Sequence, residues 1–496
     1  MRVEDLLYRQ RNNSKVAIKC GKEEITYEDW HYHSYLLSKI INKNGTKESL
    51  TVTIFLPNSI QYAIAYFGIL YSGKVIIPID IKAKEIELHA TLEYCESDII
   101  ITNNQYMKYI DNVIMEYTYG VTIINIDTNQ VINKYNQKEL VPKSKLLIKQ
   151  GNEDDVTIML HTSGTLANPK RVMLTHSNLI CNVESNIKSL QLSVEDNVLI
   201  ALPMFFGYCN TAQFLTHIYL GASMVILDTI FFPKIVLKLI QDEKITNFTA
   251  VPSMLLMILD YEYLDKYDFS SLRYICFGGG FMPIEKLKLL IQRFHSVGFV
   301  QTYGQTECSP RVTALLPQYA LDYIGSVGKP IPNVKINIMD KEENILEANQ
   351  IGEIVVQGQN IMKGYYKQPD ITAQTIKNGW LHTGDLGYIN DEGFLYLSGR
   401  IKNIIISGGI NIYPEEIEYT LLQHSKVSEV YVYGQEHSIL GEVPVAKVVL
   451  KEKVELQELK QYCKKNLAAY KIPVKFIIVN ELPKTYNGKL KRIRGE

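Results

Sequence analysis

Long apolar runs are missing from this chain. The longest, Ile60 to Tyr71 (IQYAIAYFGILY), is interrupted by Gln61 and falls short of the ~18 residues that a bilayer crossing needs, so no membrane span is expected. A surplus of either charge is missing too. The 52 Lys and Arg nearly cancel the 53 Asp and Glu, leaving a net charge of -1 and no whole-surface attraction for nucleic acid or an anionic membrane. Any polyanion must therefore be held locally. The seven cysteines (Cys20, Cys95, Cys181, Cys209, Cys276, Cys308 and Cys463) are odd in number, with no C-x-x-C and no histidine at ligand spacing. That pattern argues against a disulfide framework or a zinc site and for small, reduced, buried side chains. A secretory leader is not expected either, because Glu4 and Asp5 stand in MRVEDLLYRQRNNSK where a leader keeps a positive stretch, so a cytoplasmic protein is expected. No fixed-period repeat, low-complexity tract or G-x-x-x-x-G-K-[ST] loop is present.

What is present is a long globular pattern. With 496 residues, 46% of them hydrophobic, the chain can bury two or three cores. Short β-branched runs alternate with amphipathic stretches: Leu50 to Leu56, then Ile60 to Tyr71, then Val75 to Ile81. The rhythm returns at Val198 to Leu202, Ser223 to Leu227, Phe232 to Asp242 and Asn247 to Val251. It predicts two α/β units with mostly parallel sheets in the first 310 residues. From about Tyr323 the runs Val334 to Met339, Gly352 to Gln357 and Phe394 to Leu397 read as short strands with no room for helices between them. Beyond Arg400 a further α/β alternation, from Glu415 to Val479, predicts a small separate domain.

Five segments carry chemistry, although each alone is a common surface turn. Leu160 to Val172 (LHTSGTLANPKRV) follows a strand-like run and offers backbone N–H groups, the hydroxyls of Thr162, Ser163 and Thr165, Gly164 and the charge of Lys170 to an anion such as phosphate. In Gln301 to Glu307 (QTYGQTE), Tyr303 suits base stacking, Thr306 suits a phosphate and Glu307 gives Mg²⁺ a hard oxygen. Gly379 to Arg400 contains Asp385 between glycines, able to accept from two ribose hydroxyls, and Arg400 at a strand end. Ser407 to Glu418 (SGGINIYPEEIE) leads a glycine pair into a helix near Pro414, and Leu482 to Arg492 (LPKTYNGKLKR) projects Lys489 from an Asn-Gly turn.

In this order and spacing the five segments resemble the acyl-adenylate-forming (AMP-binding) superfamily of acyl-CoA synthetases, aryl-acid ligases, luciferases and peptide-synthetase adenylation domains. The resemblance covers nearly the whole chain. It implies an α/β fold with a large N-terminal domain (1–399) of two α/β subdomains plus a β-barrel, and a small mobile C-terminal α+β lid (400–496). By similarity, Thr162, Ser163, Gly164, Thr165 and Lys170 handle the β- and γ-phosphates of ATP. Gly278, Gly279 and Gly280 line adenine and the acyl pocket, and Gln301, Thr302, Tyr303 and Gly304 bind the nucleotide, with Tyr303 stacking on adenine. Thr306 contacts the α-phosphate and Glu307 ligates Mg²⁺. Asp385 binds the ribose beside Arg400. Lys402 occupies the hinge, and Lys489 resembles the catalytic lysine bridging the substrate carboxylate and the α-phosphate. Gly408 and Gly409 would face the pantetheine thiol in the second half-reaction.

The implied reaction is the ATP-dependent ligation of a carboxylic acid, through an acyl-adenylate, to CoA or to the pantetheine of an acyl carrier protein. Such a carrier is expected as a separate protein, since no carrier domain follows Glu496. Leu166, Ala167 and Arg171 depart from the family's T-S-G-[ST]-[ST]-G-x-P-K-G loop. Ala167 loses backbone freedom that glycine has, Leu166 removes a donor, and Arg171 is expected to supply charge instead. These departures keep open a stand-alone adenylating enzyme with another acceptor, or a degenerate adenylate-binding relative. Phe206 stands where many relatives place a gating His or Trp, and no Asp follows it to pair with a substrate ammonium, which disfavours an α-amino acid. Phe206, Tyr208 and Phe281 are candidate pocket residues, and the bulk of Tyr208 and Phe281 favours an aryl or short- to medium-chain acid over a long one.

Overall fold

The computed structural model describes residues 1–45, 50–114, 120–134, 151–161, 170–408 and 410–483. A nine-stranded sheet runs parallel through Val16–Cys20, Ser223–Ile226, Asn197–Ile200, Asn247–Ala250, Tyr274–Gly278 and Gly298–Gly304, and Arg311–Leu315 turns back antiparallel along the last of these. An eight-stranded sheet has a parallel centre of Val156–His161, Val75–Pro78, Thr51–Ile54, Ile99–Thr102 and Val121–Asn125 with antiparallel edges. These are the two expected α/β units, and their central strands are buried on both faces, as the unbroken apolar runs required.

Between the sheets lies the largest core. The helix Ile60–Tyr71 is apolar on nearly every side, Gln61 excepted, and buried throughout its middle, which suits an interior rather than a surface helix. Ser59 starts it by accepting the Tyr62 N–H at 3.1 Å. Trp30 meets Phe67 edge-on with ring centroids 5.3 Å apart and tilts against Phe214 at 5.7 Å. The helix His176–Leu190 is held at its start by a reciprocal Thr175–Asn178 capping box.

A five-stranded antiparallel sheet follows, built from Val334–Met339, Gly352–Gly358, Trp380–Ile389, Ile376–Lys377 and Leu395–Arg400. The texture of this region predicts strands alone, yet a seven-residue helix, Pro369–Thr375, interrupts it. Pro369 at the first helical turn, with φ already set, and Asp370 in that turn favour the start of a helix. The remaining sheet joins Ile405–Ser407, Ile410–Ile412, Val427–His437, Gly441–Leu450 and Lys475–Ile478. With the helices Pro414–Leu422 and Leu456–Asn466 it closes over its own core, which includes Ile405, Ile417, Leu421, Val432 and Leu459. Among the described residues no helix is long and apolar enough to cross a membrane.

His217 is fully buried, with Nδ1 2.7 Å from the Gln213 carbonyl and Nε2 3.3 Å from the Asn247 amide. Burial lowers its pKa to about 4, although the Gln213 carbonyl and Asp196 oppose the shift. The unfolded chain therefore binds a proton that the folded chain refuses between pH ~6.5 and that value, and stability falls as pH falls through this window. The expected contribution is at most ~1.4 kcal/mol per pH unit. Urea unfolding of wild type and His217→Gln at pH 7 and pH 5 should show a smaller acid penalty in the variant; an equal penalty in both would remove His217 as its source.

Candidate functional site

The strands Tyr274–Gly278 and Gly298–Gly304 lie side by side with Gly278 opposite Thr302. A Cβ at Gly278 would stand 2.5 Å from the Thr302 carbonyl oxygen and 2.7 Å from its Oγ1, so only glycine lets the pair approach. Thr302 donates to the Phe277 carbonyl at 3.2 Å, and the Tyr208 hydroxyl completes this arrangement at 2.6 Å from Thr302 Oγ1. Tyr208 thereby ties the turn Gly207–Cys209 to the strand. Phe206, just before that turn, packs half-buried on the main core. Past the strand, Gly279 has φ +76°, Gly280 is exposed, and Phe281 is 49% exposed with its ring edge-on to Tyr419 at 5.5 Å. Phe281 is thus placed at the seam with the C-terminal sheet and its helices.

The end of the neighbouring strand carries Tyr303, which is 8% exposed and donates to Asp385 Oδ2 at 2.9 Å. Arg400 Nε reaches the other oxygen of the same carboxylate at 2.6 Å. Burial raises the Asp385 pKa, and the Arg400 charge and the Tyr303 hydrogen bond oppose it. The Asp385 backbone N–H donates to Thr383 Oγ1 at 3.1 Å, and Gly384, at φ +70°, donates its N–H to Glu353 at 2.9 Å. Glu353 is a positioning residue that the sequence pattern does not single out.

Glu307 sits in the single turn Thr306–Cys308, one strand end away. Its Oε1 accepts from the Tyr365 hydroxyl at 2.9 Å, and Lys170 Nζ lies 4.9 Å from the centre of the Tyr365 ring. One tyrosine therefore bridges the candidate cation ligand and the candidate phosphate-binding lysine. Asn360 donates to the Cys308 carbonyl at 2.9 Å, and Asn182 donates to the carbonyl of Arg311 at 2.8 Å, which pins the turn from both sides. Thr306 and Gln301 are half-buried on this rim, and a Cβ at Gly304 would collide with the Pro310 carbonyl. Tyr365, Asn360 and Asn182 went unnoticed in the sequence, because a lone tyrosine or asparagine between strands carries no pattern.

Lys402 is exposed in the turn Ile401–Asn403, and Asn403 donates to Glu415 at 2.9 Å. Gly408 has φ +57°. Thr162, Ser163, Gly164, Thr165, Gly409 and Lys489 lie outside the described residues. Arg171 is 3% exposed, and its Nη2 donates to Thr91 at 2.5 Å, which ties it to the helix Glu85–Cys95.

Among the described residues no group of three His, Cys, Asp or Glu is placed to hold a metal. A single carboxylate fits Mg²⁺, which keeps several waters and shares the oxygens of a phosphate. Glu307 meets that requirement, with Oε1 fixed by Tyr365.

A family model described as AMP-binding enzyme matches residues 8–366, and one described as AMP-binding enzyme C-terminal domain matches residues 416–489. A long-chain-fatty-acid–CoA ligase of Bacillus subtilis (strain 168) is 32% identical, over 97% of this chain and 91% of the relative. A 2-succinylbenzoate–CoA ligase of the same organism is 32% identical, over 97% and 95%. The solved o-succinylbenzoate CoA synthetase from Bacillus subtilis in complex with its acyl-adenylate intermediate superimposes with a TM-score of 0.87 at 29% identity, covering 100% of this chain and 99% of that one. The same enzyme with ATP and magnesium ion gives 0.86 at 29% identity, covering 98% of each chain.

Gly278→Ala should destabilise the protein by about 1–3 kcal/mol, because its methyl group meets strand backbone. Gly280→Ala is the control, since its methyl meets only Pro252 ring carbons at 3.5 and 3.6 Å. Equal denaturation midpoints for the two variants would refute the close approach as the reason for Gly278.

Proposed function

The chain belongs to the AMP-binding enzyme family and is an ATP-dependent acid–thiol ligase, and we propose how its own residues divide that work. The observation that carries the proposal is a pair of small networks on either side of the strand end at Gly304: Tyr303–Asp385–Arg400 and Glu307–Tyr365–Lys170.

Asp385 accepts from the ribose hydroxyls, with Arg400 and Tyr303 holding its carboxylate in place, and the Tyr303 ring lies against adenine beside Gly278, Gly279 and Gly280. Thr162, Ser163, Gly164, Thr165 and Lys170 take the β- and γ-phosphates, and Thr306 takes the α-phosphate. Glu307 holds Mg²⁺, which when bound offsets phosphate charge. The substrate carboxylate then attacks the α-phosphorus, the bond to the bridging oxygen breaks, and pyrophosphate leaves. Lys489 stabilises the charge that gathers between the two anions. In the second half-reaction the thiol sulfur of CoA attacks the acyl carbon, AMP departs with the electron pair of the broken C–O bond, and the thiol proton passes to solvent.

The finer assignments rest on the chain's own residues. Residues 400–496 form the moving lid, with Lys402 at its hinge and Gly408 and Gly409 along the pantetheine path. Phe206, Tyr208 and Phe281 favour an aryl or short- to medium-chain acid, and the lack of an acidic residue after Phe206 disfavours an α-amino acid. A separate acyl carrier protein is the alternative acceptor to CoA. Seven free cysteines, six of them buried, support a cytoplasmic setting.

Pyrophosphate exchange with ATP, Mg²⁺ and a panel of acids is the test. Lys489→Ala should lower exchange about 10²- to 10³-fold, and unchanged exchange would overturn the role of Lys489. Calorimetric silence toward ATP and Mg²⁺ would favour a degenerate relative, and AMP release that does not respond to CoA would point to a different acceptor.

A further inference from the structure

Arg311 takes no part in the division of labour above, yet among the described residues it is the one charged residue of the largest fully buried side chains, at 1% exposure. It opens the strand Arg311–Leu315, opposite Gly304 at the end of the strand that carries Thr302 and Tyr303. One of its terminal nitrogens donates to Asn186 Oδ1 on the helix His176–Leu190. Its Nε and its Nη2 have no hydrogen-bond partner among the described residues, and no described carboxylate pairs with it. Nε and Nη2 form one edge of the guanidinium plane, the fork that matches the two oxygens of a carboxylate.

The surroundings do not neutralise that edge. The Tyr208 ring centre is 5.9 Å from the guanidinium carbon. Burial raises the pKa of the Tyr208 hydroxyl and of the Cys276 thiol, with the Arg311 charge and its polar approach to each group opposing both shifts, so these polar neighbours are protonated at neutral pH and bring no counter-charge. A buried, unpaired guanidinium is costly, and a bound anion relieves that cost. The position says which anion. Tyr208 is a candidate pocket residue, and the guanidinium carbon lies 5.9 Å from its ring, so Arg311 adjoins the place assigned to the acid. The acid's reacting carboxylate is engaged at the α-phosphate, which leaves Arg311 for a second one.

Resting on the ligase reading, we propose that Arg311 is a specificity-determining residue whose Nε and Nη2 receive a second carboxylate, so that the substrate is a dicarboxylic acid. An acid ending in a methyl group would leave the fork empty and buried, which turns an unbranched fatty acid away.

The test is pyrophosphate release by the full chain with ATP, Mg²⁺ and CoA, using aliphatic and aryl dicarboxylic acids paired with methyl-terminated monoacids of equal length. Wild type should prefer the diacid of the best pair by about 10²-fold or more in kcat/KM. Arg311→Leu should lose that preference mainly through KM, since the contact is the same in ground and transition states, and should spare or improve the monoacid. Arg311→Lys should keep part of it. A wild type that prefers monoacids, or an Arg311→Leu variant that lowers both acids equally with the diacid preference intact, would overturn the proposal while leaving the ligase reading standing. If Arg311→Leu does not fold, the wild-type panel and Arg311→Lys decide. No release with any acid, together with no calorimetric binding of ATP, would overturn the ligase reading and this assignment with it.

Discussion

The buried carboxylate of Asp385 is where separately folded pieces of this protein meet. Tyr303 approaches it from the end of a parallel strand, Arg400 from the last residue of an antiparallel one, and the turn leading to Lys402 follows at once. A carboxylate 6% exposed would neutralise itself without such partners, and the raised pKa shows that burial still has the upper hand. Removing Tyr303 takes away a polar contact between the two sheets, whereas Arg400 reaches Asp385 from the neighbouring strand of the same sheet. The group that recognises a ribose in the proposed reaction is also a structural joint.

The second network obeys a similar economy. Tyr365 donates to Glu307 and lies under Lys170, so ligand and cation are placed by one ring. The antiparallel edge strand Gly364–Tyr365 brings that ring into position by pairing with Arg171–Thr175, which follows Lys170 in the chain. Strand pairing thus brings Tyr365 alongside the segment that follows Lys170.

Much of the fold was legible in the sequence because burial writes itself as periodicity. Ile60–Tyr71, Val334–Met339 and the strand–helix alternation after Arg400 fall where apolar spacing puts them. The motif residues Tyr303, Glu307, Asp385 and Arg400 were legible through order and spacing, and Tyr303 and Arg400 converge on the Asp385 carboxylate. The helix Pro369–Thr375 was not legible, because seven residues with no buried side chain leave no apolar stripe. Nor was the partner of Arg171, since a side chain that reaches Thr91 across 80 positions of sequence leaves no local trace. Tyr365, Asn360 and Glu353 share that obstacle: each acts on a residue from a distant strand.

The cysteines acquire a meaning beyond packing. A ligase of this kind makes a mixed anhydride, an acylating agent, within reach of its own side chains. Cys276, Cys209 and Cys308 belong to the strands and turns of the site, and burial pushes all three thiols up, keeping them protonated. Cys20, the one cysteine not fully buried, is raised to about 11. Since thiolate rather than thiol is the nucleophile, the protein withholds every competing sulfur from its product, and self-acylation is suppressed by the same burial that stabilises the core.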